Sequence, residues 1–549
     1  MSERMPLLDV AGLRVAFGDH EVVHGISLRI RPGECVAIVG ESGSGKSVTA
    51  RALLGMAGAG ARTRSDRLRV LGRELGSASE RTWRDVRGRQ VGLILQDALV
   101  SLDPLRPIGR EIDDPLRIHE RMPPAARRAR VLGLLARVGM PDPEFAAGRR
   151  SGELSGGLRQ RALIASALAL DPPLVIADEP TTALDVSVQA RILSLLDEIR
   201  EAGTGILLIS HDLAVVSRLA DRILVTRHGE VIEDGTADDV LRSPREPYTR
   251  ALIAAVPTER PRGTALAVAT SAPAAIPGPP PTGVPIATGS DAPERPPLLR
   301  FDRVAKGFSV PGGRLLAVDD VSLALRPGET LGLVGESGSG KTTVARLALG
   351  LTAPDSGVVL LDGEAWSSRP ERERRPMRRR IGAIYQDALS SFDPRWSVGR
   401  ILADAASVGA RGTGRPAPRV EDLLDQVGLV ASVARRRPLN LSGGQRQRVA
   451  IARALAAEPD VLICDEPVSA LDVTIQAQIL DLLDRLQRRR GLAMLFISHD
   501  LGVVRHMSDH VAVMRAGRIV ESGGTEAVFA EPRHPYTAQL VADAPRLTP

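Results

Sequence analysis

The pattern G-x-x-x-x-G-K-[ST] occurs twice in this chain, as GESGSGKS at residues 40–47 and as GESGSGKT at residues 335–342. In both places a short apolar run precedes the pattern and a segment with helical spacing follows it. Glycines in this arrangement let backbone N–H groups surround phosphate oxygens, and the following helix adds its N-terminal dipole. Two copies in one chain therefore predict two domains of one kind, each holding the phosphates of a nucleotide.

The distribution of basic residues supports this prediction. The chain has 72 Lys and Arg residues, but only three of them are lysines: Lys46, Lys306 and Lys341. Two of the three stand inside the repeated pattern. The compact ammonium of Lys and the planar guanidinium of Arg are not interchangeable at a phosphate. The lysines at positions 46 and 341 are therefore expected to reach the β- and γ-phosphates.

Other landmarks repeat at a nearly constant separation. Lys46 and Lys341 are 295 residues apart, and His211 and His499 are 288 apart. The spacing predicts a duplicated domain, with copies at residues 1–258 and 299–549. Residues 259–298 are rich in Pro, Ala, Gly, Ser and Thr and are expected to form an extended, partly stiff linker.

Each half alternates strand-like and helix-like segments, which predicts an α/β fold. The runs CVAIVG and TLGLVG enter the glycine-rich loops, LVIADE and VLICDE end in two acids, and GILLIS and AMLFIS end just before a histidine. Short apolar runs bounded by turn residues are typical of buried parallel strands. Parallel sheets of this kind present ligand groups at the carboxyl ends of their strands.

Composition narrows the class of protein. Hydrophobic residues make up 43% and charged residues 25% of the chain, which are ordinary globular values. No run of about 18 apolar residues is present, so no membrane span is expected, and the N-terminus does not resemble a signal peptide. The two cysteines, Cys35 and Cys464, form neither a disulfide framework nor a metal-binding spacing. The net charge of +6 favours a solvated, Arg-rich surface over a nucleic-acid partner.

Two acidic pairs end apolar strands in the two halves. An acid at the end of a buried strand is costly unless it meets a cation or solvent. The Asp suits Mg²⁺ ligation, directly or through water, and the Glu that follows suits polarisation of an attacking water. The pairs are Asp178 with Glu179 and Asp465 with Glu466; the predicted Mg²⁺ hydroxyl ligands are Ser47 and Thr342.

The segments LSGGLRQ at 154–160 and LSGGQRQ at 441–447 open helices shortly before the acidic pairs. A Ser and two Gly at a helix start form a second kind of phosphate-binding arrangement. With this motif the chain resembles the ATP-binding-cassette ATPases in the order phosphate loop, Gln, LSGGxRQ, DE, ALD, His. The resemblance covers both halves. It implies P-loop nucleotide-binding domains, each with a parallel-sheet core, an antiparallel β subdomain and a helical subdomain, that use ATP and Mg²⁺.

The resemblance also implies roles for single residues. The glutamates of the acidic pairs, with the Gln and His of each half, would be catalytic: Glu179, Glu466, His211, His499, Gln96 and Gln386. The metal would be held by Ser47, Gln96, Asp178, Thr342, Gln386 and Asp465. Nucleotide contacts would come from Phe17, Gly40, Glu41, Ser42, Gly43, Ser44, Gly45, Lys46, Ser47, Val48, Ser155, Gly156, Gly157, Asp185, Phe308, Gly335, Glu336, Ser337, Gly338, Ser339, Gly340, Lys341, Thr342, Thr343, Ser442, Gly443, Gly444 and Asp472.

In this family two cassettes close head-to-tail, so each ATP lies between the loop of one and the LSGG of the other. Here the resemblance pairs Lys46 with Ser442 and Lys341 with Ser155. Neither half lacks a motif residue, so both sites are expected to hydrolyse ATP.

The segments at 96–109 and 386–399 and the PYT near the end of each half look like those of oligopeptide, dipeptide and nickel importer ATPases. That likeness implies two permease subunits docking near Gln96–Gly109 and Gln386–Gly399, an extracytoplasmic solute-binding protein, no nucleic acid, and a peripheral location on the cytoplasmic face of the bacterial cell membrane. In many relatives an I-P-G-x-P segment leads into a cysteine cluster; residues 276–280 match it, but no cysteine follows, so no iron–sulfur cluster is expected.

Two alternatives stay open at the level of sequence. The chain could serve an export or self-resistance permease, which would use the same cassettes. It could also be a soluble tandem-cassette translation factor, although such a factor is expected to have a charged helical linker and no PYT ends.

Overall fold

The computed structural model describes residues 5–96, 101–181, 184–257, 260, 262–267, 296–310, 313–411, 416–469 and 471–547. The chain divides into two compact units, Met1–Ile253 with Asp543–Pro549, and Ala254–Ala542. The predicted domain limits at 258 and 299 stay a prediction. Most of the predicted linker, including the I-P-G-x-P segment at 276–280, lies outside the described residues.

The first unit contains eleven strands among its described residues: β1 (Leu8–Phe17), β2 (His20–Ile30), β3 (Cys35–Val39), β4 (Ala61–Arg64), β5 (Arg67–Val70), β6 (Arg73–Glu74), β7 (Val91–Ile94), β8 (Leu174–Asp178), β9 (Gly205–Ile209), β10 (Arg222–Arg227) and β11 (Glu230–Thr236). Its helices are α1 (Lys46–Ala52), α2 (Glu80–Val86), α3 (Ile108–His119), α4 (Pro124–Arg137), α5 (Pro143–Ala147), α6 (Gly156–Ala167), α7 (Val186–Glu201), α8 (Leu213–Leu219), α9 (Ala237–Arg242) and α10 (Pro247–Ala254).

Two sheets organise this unit. The central sheet has the order β11-β10-β3-β9-β8-β7 and is parallel apart from its edge strand β11. A smaller antiparallel sheet has the order β2-β1-β5-β6, with β4 also pairing β1. Helices α3 to α6 form a helical region between β7 and β8 in the chain. The predicted α/β fold with a parallel core, an antiparallel subdomain and a helical subdomain is confirmed.

The second unit repeats this plan. Its strands are β12 (Leu299–Val310), β13 (Gly313–Leu325), β14 (Thr330–Val334), β15 (Ser356–Leu361), β16 (Glu364–Ala365), β17 (Ile381–Ile384), β18 (Val461–Asp465), β19 (Ala493–Ile497), β20 (His510–Arg515) and β21 (Arg518–Gly524). Its helices are α11 (Lys341–Ala348), α12 (Glu371–Arg374), α13 (Val398–Ala410), α14 (Val420–Gln426), α15 (Gly443–Leu455), α16 (Val473–Arg490), α17 (Leu501–Met507), α18 (Thr525–Ala530) and α19 (Pro535–Asp543). The central sheet has the order β17-β18-β19-β14-β20-β21.

Continuous burial explains why the central strands form. Every residue of β3, β8 and β9 is buried, and the same holds for β14 and β19. Strands covered by helices on both faces need apolar side chains on both faces, which is the continuous pattern seen in the sequence. Cys35 lies in β3 and Cys464 in β18 as free, buried thiols, and burial raises the pKa of both.

Within the part of the chain that the structure describes, no helix is both long and apolar enough to cross a bilayer.

Candidate functional site

The glycine-rich loop of each unit connects a central strand to a helix: β3 to α1, and β14 to α11. A Cβ added at Gly40 would overlap the carbonyl oxygen of Thr226, and one at Gly335 would overlap that of Met514. Gly45 and Gly340 adopt φ values of +89° and +109° at the start of their helices. Only glycine fits these positions, so the backbone can fold tightly enough to present its N–H groups inward.

Each loop lysine is folded against its own loop. The Nζ of Lys46 donates to the carbonyl oxygens of Gly40 and Glu41 at 2.7 and 2.8 Å. Lys341 repeats this arrangement at 2.7 Å to both carbonyls. Each lysine is only 7% exposed. The ammonium groups are therefore held beside the loops, where an anionic ligand would be bound.

The aspartates of the acidic pairs end β8 and β18. Ser47 Oγ donates to Asp178 Oδ1 at 2.9 Å, across 131 residues of sequence. Asp178 is fully buried, and its Oδ2 has no hydrogen-bond partner among the described residues. A buried carboxylate oxygen without a partner is costly, and this one suits a hydrated Mg²⁺ that the neighbouring hydroxyl would also contact.

Burial raises the pKa of both aspartates. For Asp465 burial and then repulsion by Glu466 raise the pKa to about 6, against the opposing effect of Lys341. For Asp178 burial raises the pKa, the Ser47 hydrogen bond opposes the rise, and Glu179 adds to it. A cation bound between aspartate and loop would favour the ionised form of each carboxyl.

The glutamates that follow are held in an unusual backbone conformation. Glu179 and Glu466 both have φ of +50°, a region that non-glycine residues rarely adopt. Each conformation is stabilised by a hydrogen bond from the glutamate N–H to the end of the adjacent strand, to Ile209 O at 2.8 Å and to Ile497 O at 2.9 Å. Strain of this kind costs ~1–3 kcal/mol and is concentrated at functional sites.

The predicted Gln and His of the first unit meet on its glutamate. Gln96 Nε2 donates to Glu179 Oε2 at 2.8 Å, and His211 Nδ1 lies 3.0 Å from Oε1. The second unit has the same cluster at the same distances. The three side chains come from the ends of three adjacent strands, β7, β8 and β9 in the first unit.

These contacts shift the titration of the cluster. Burial alone would lower the pKa of each histidine, but the hydrogen bond and charge of the glutamate outweigh it and raise the pKa of His211 and His499. Burial would likewise raise the pKa of Glu466, but the contact with His499 lowers it. The contact therefore favours the charged form of each histidine and, in the second unit, of Glu466.

The LSGG segments begin helices α6 and α15. Ser155 is the N-cap of α6 and accepts the N–H of Leu158 at 3.4 Å. Ser442 caps α15 in the same way and forms a full capping box, because Gln445 stands where the first half has Leu158. Both serines are exposed within their units. Each serine lies on the surface of its unit and is at least 100 residues away in sequence from the glycine-rich loop of that unit.

The ALD aspartates are helix caps. Asp185 accepts the N–H of Val188 at 3.0 Å at the start of α7, and Asp472 does the same for Ile475 at 3.1 Å at the start of α16. The aromatic residues predicted to stack on adenine differ in burial. Phe17 is partly buried against the core at the end of β1, whereas Phe308 is 37% exposed, with Lys306 Nζ 5.8 Å from its ring centre.

A tyrosine that the sequence analysis did not place at the site touches each loop. Tyr248 Oη accepts the N–H of Glu41 at 3.0 Å, and Tyr536 Oη accepts that of Glu336 at 3.1 Å. These are the tyrosines of the two PYT segments, in α10 and α19. Both are buried, and an arginine from β10 or β20 stacks on each ring. Two of the three tyrosines of the chain stand in the repeated PYT segments, and this repetition is the sequence feature that could have pointed to a shared role.

A glutamine was also missed. Gln160, the last residue of LSGGLRQ, is 3% exposed, and its Nε2 donates to Pro180 O at 3.3 Å and to Leu95 O at 3.4 Å. It therefore connects helix α6 to the segment after the acidic pair and to the residue before Gln96.

The segments after Gln96 and Gln386 lead from the glutamate cluster to the helical region. In the second unit Arg453 of α15 donates to Ser391 O and Oγ and packs 4.9 Å from the centre of the buried Phe392 ring. Residues 97–100 of the first unit lie outside the described ones. Beyond them Leu105 is 75% exposed.

Comparisons with known proteins agree with this geometry. The model of the ABC transporter family matches residues 23–182 and 318–469. A model described as the C-terminal region of oligopeptide/dipeptide transporters matches residues 232–281 and 520–549.

Similar full-length proteins include the glutathione import ATP-binding protein GsiA of Salmonella choleraesuis (strain SC-B67), 42% identical over 99% of this chain and 90% of the relative. The oligopeptide transport ATP-binding protein OppD of Mycobacterium bovis is 41% identical over 99% of both chains. Among solved structures, a chain of the complex of archaeal ribosomal stalk protein aP1 with archaeal ribosome recycling factor aABCE1 aligns with a TM-score of 0.60 over 94% of this chain and 90% of that chain. At 19% identity, that likeness shows the fold alone.

Two matches to one family model, relatives that span nearly the whole chain, and two copies of one nucleotide-site geometry lead to a single assignment: the chain belongs to the ABC transporter family and is an ATPase with two ATP-binding cassettes in tandem.

Proposed function

We propose that this chain is the ATP-hydrolysing motor of a binding-protein-dependent importer, with peptides as the class of cargo. The observation that supports this most directly is the oligopeptide/dipeptide transporter region that follows each cassette. Relatives named for glutathione import and oligopeptide transport cover nearly the whole chain. Cargo selection would belong to partner proteins, two permease subunits and an extracytoplasmic solute-binding protein, and this chain would act at the cytoplasmic face of the membrane.

The site geometry supports specific roles in ATP hydrolysis. The loop amides and Lys46 would bind the phosphates in the first cassette, and Lys341 would do so in the second. Mg²⁺, held by the loop hydroxyl, the strand-end Asp and the Gln, would neutralise charge on the phosphates. Glu179 and Glu466 would accept the proton of the attacking water, because each is partly buried, contacts a histidine and is held in a fixed backbone conformation. His211 and His499 would orient the glutamates and contact the γ-phosphate.

Exposure of the LSGG serines supports a composite site. Ser155 and Ser442 each present a helix start to solvent within their own unit, and a helix start is a suitable contact for a phosphate. We infer that Ser442–Gly444 completes the ATP site of Lys46, and that Ser155–Gly157 completes the site of Lys341.

The permeases would dock on the segments 96–109 and 386–399. These segments connect the glutamate cluster to the helical region, and the exposed Leu105 offers an apolar contact. Movement at the γ-phosphate would reach the permeases through Gln96 and Gln386. The role of the tyrosines is also a proposal: Tyr248 and Tyr536 would hold their loops in the phosphate-binding shape through the bonds to the loop amides.

Replacing both proposed bases tests the hydrolysis mechanism. Glu179→Gln with Glu466→Gln should lower steady-state turnover by ~10²–10⁴-fold, because a positioned base contributes about that much, while ATP stays bound. Turnover and retained nucleotide should be measured in the same sample. Glu201→Gln, an exposed glutamate of α7, is the control. Unchanged turnover in the double variant would contradict the general-base role.

The composite site is tested by reciprocal variants. Ser442→Arg should abolish ATP occlusion at the Lys46 site and spare the Lys341 site, and Ser155→Arg should do the opposite, since a bulky cation would block the helix start. Photo-crosslinked nucleotide can be assigned to each loop by peptide mapping. Loss at the loop of the same cassette in both variants would exclude the head-to-tail arrangement.

The tyrosine role is tested by removing only the hydroxyl. Tyr248→Phe with Tyr536→Phe should raise the KM for ATP by about two- to tenfold, the equivalent of one ordinary hydrogen bond, with a smaller change in kcat. Tyr385→Phe is the control. Tyr385 is the third tyrosine of the chain and directly follows β17, outside the two PYT helices, so its replacement should leave KM unchanged. An equal KM in all three proteins would show that the hydroxyls do not position the loops.

The transport role is tested by purifying the tagged chain from its native membranes in mild detergent and identifying its partners by mass spectrometry. We expect two permeases and a solute-binding protein. A permease without a binding protein would favour the export alternative, and ribosomal proteins without a permease would overturn the transport role.

A further inference from the structure

A short segment after helix α10 packs on the second unit, although it follows the last helix of the first half. It consists of residues 260 and 262–267, which we call the strap. The strap belongs to the unit Ala254–Ala542. It contacts helices α16 and α17 and the start of β14.

One carboxylate binds the end of the strap. Asp481, on α16, accepts the N–H of Leu266 with Oδ1 and the N–H of Ala267 with Oδ2, both at 2.9 Å. Leu266 itself is fully buried. Two amides on one carboxylate form charge-assisted bonds, which are stronger than bonds between neutral groups.

Arg262 forms the second anchor. Its guanidinium makes an ion pair with Asp509 and lies 3.3 Å from Thr330 Oγ1 and 3.5 Å from Gln487 Oε1. The side chain is only 19% exposed. The other oxygen of Asp509 accepts the N–H of Thr330 at 2.8 Å, so this carboxylate also secures the first residue of β14.

The first unit places an arginine of its own helix near the equivalent aspartate. Asp221 accepts the N–H of Cys35, the first residue of β3, at 2.8 Å, and its other oxygen lies 3.5 Å from Arg200 Nη1. Arg200 occupies the position in α7 that Gln487 occupies in α16, counted from the capping aspartate of each helix. The first unit therefore supplies its cation from the helix, and the second has glutamine there.

We propose that the strap is a docking element for the second cassette, and that Arg262 supplies to Asp509 the cation that Arg200 supplies to Asp221. The second cassette thus depends on a segment near the start of the predicted linker 259–298. Described residues near both ends of that linker belong to the second unit: the N–H of Ala267 donates to Asp481 on α16, and the N–H of Leu298 donates to Leu325 O at 2.8 Å.

The strap also lies next to elements of the ATP site in sequence. It begins six residues after α10, the helix that carries Tyr248. The carbonyl of Arg260 accepts a hydrogen bond from His506 Nδ1 at 3.1 Å, and His506 lies in α17, the helix that follows His499. The first unit has a smaller counterpart: Ser217, in the helix that follows His211, donates to Arg546 O at 3.1 Å within that unit.

Hydrogen exchange on the full chain tests the docking. The peptide covering 262–267 should be protected in the wild type, and Asp481→Ala should speed its exchange by about tenfold or more, because both amides lose their acceptor. Arg489→Ala, an exposed residue of the same helix α16, is the control and should leave the strap protected. An unprotected strap in the wild type, or unchanged protection in Asp481→Ala, would overturn the proposal.

A double-mutant cycle tests whether an arginine at position 487 can substitute for Arg262 as the cation beside Asp509. Arg262→Ala should lower the denaturant midpoint of the second unit in the wild-type background, and lower it much less when Gln487→Arg is also present, because Gln487→Arg restores the helix cation of the first unit. The two effects should therefore be strongly non-additive. Additive effects would show that Arg262 and position 487 do not serve the same carboxylate, and would overturn the proposed equivalence with Arg200.

Discussion

Parallel pairing of the central strands is the constraint on which the rest of each cassette depends. In the first unit β3, β9, β8 and β7 lie side by side and run in one direction. Their carboxyl ends therefore meet at one edge, and each delivers a different group there: the glycine-rich loop, the histidine, the acidic pair and the glutamine. Any change that broke this pairing would separate groups that are far apart in the chain.

The electrostatics of the site follow from that convergence. Burial raises the pKa of both aspartates, so a bound cation would stabilise the ionised form of each carboxylate. The glutamates meet a histidine and a glutamine instead, and the histidine contact lowers the pKa of Glu466 although burial opposes it. Two adjacent acids thus acquire different partners, one suited to a metal and the other to a proton.

Much of this could be predicted from the sequence. The duplication, the α/β class and the ATPase assignment are confirmed, since each rests on short patterns whose chemistry is local: a glycine that must approach a carbonyl, or an apolar run that must be buried. The contacts of single residues were less accessible. Asp185 and Asp472 could be read as motif residues, but their helix-capping bonds appear only in three dimensions. The roles of the predicted site residues stay predictions that the experiments above address.

The sequence by itself determined which chemistry each cassette can perform, because phosphate binding and strand burial depend on residues that are neighbours in the chain. Only the tertiary structure decided which distant residues support that chemistry. Tyr248 reaches the loop amide of Glu41 across 207 residues, and Leu266 reaches Asp481 across 215. No local sequence pattern identifies such pairs, because the same tyrosine hydroxyl or backbone amide can face either solvent or a distant partner. The fold brings the partners together only after the sheets and helices have packed.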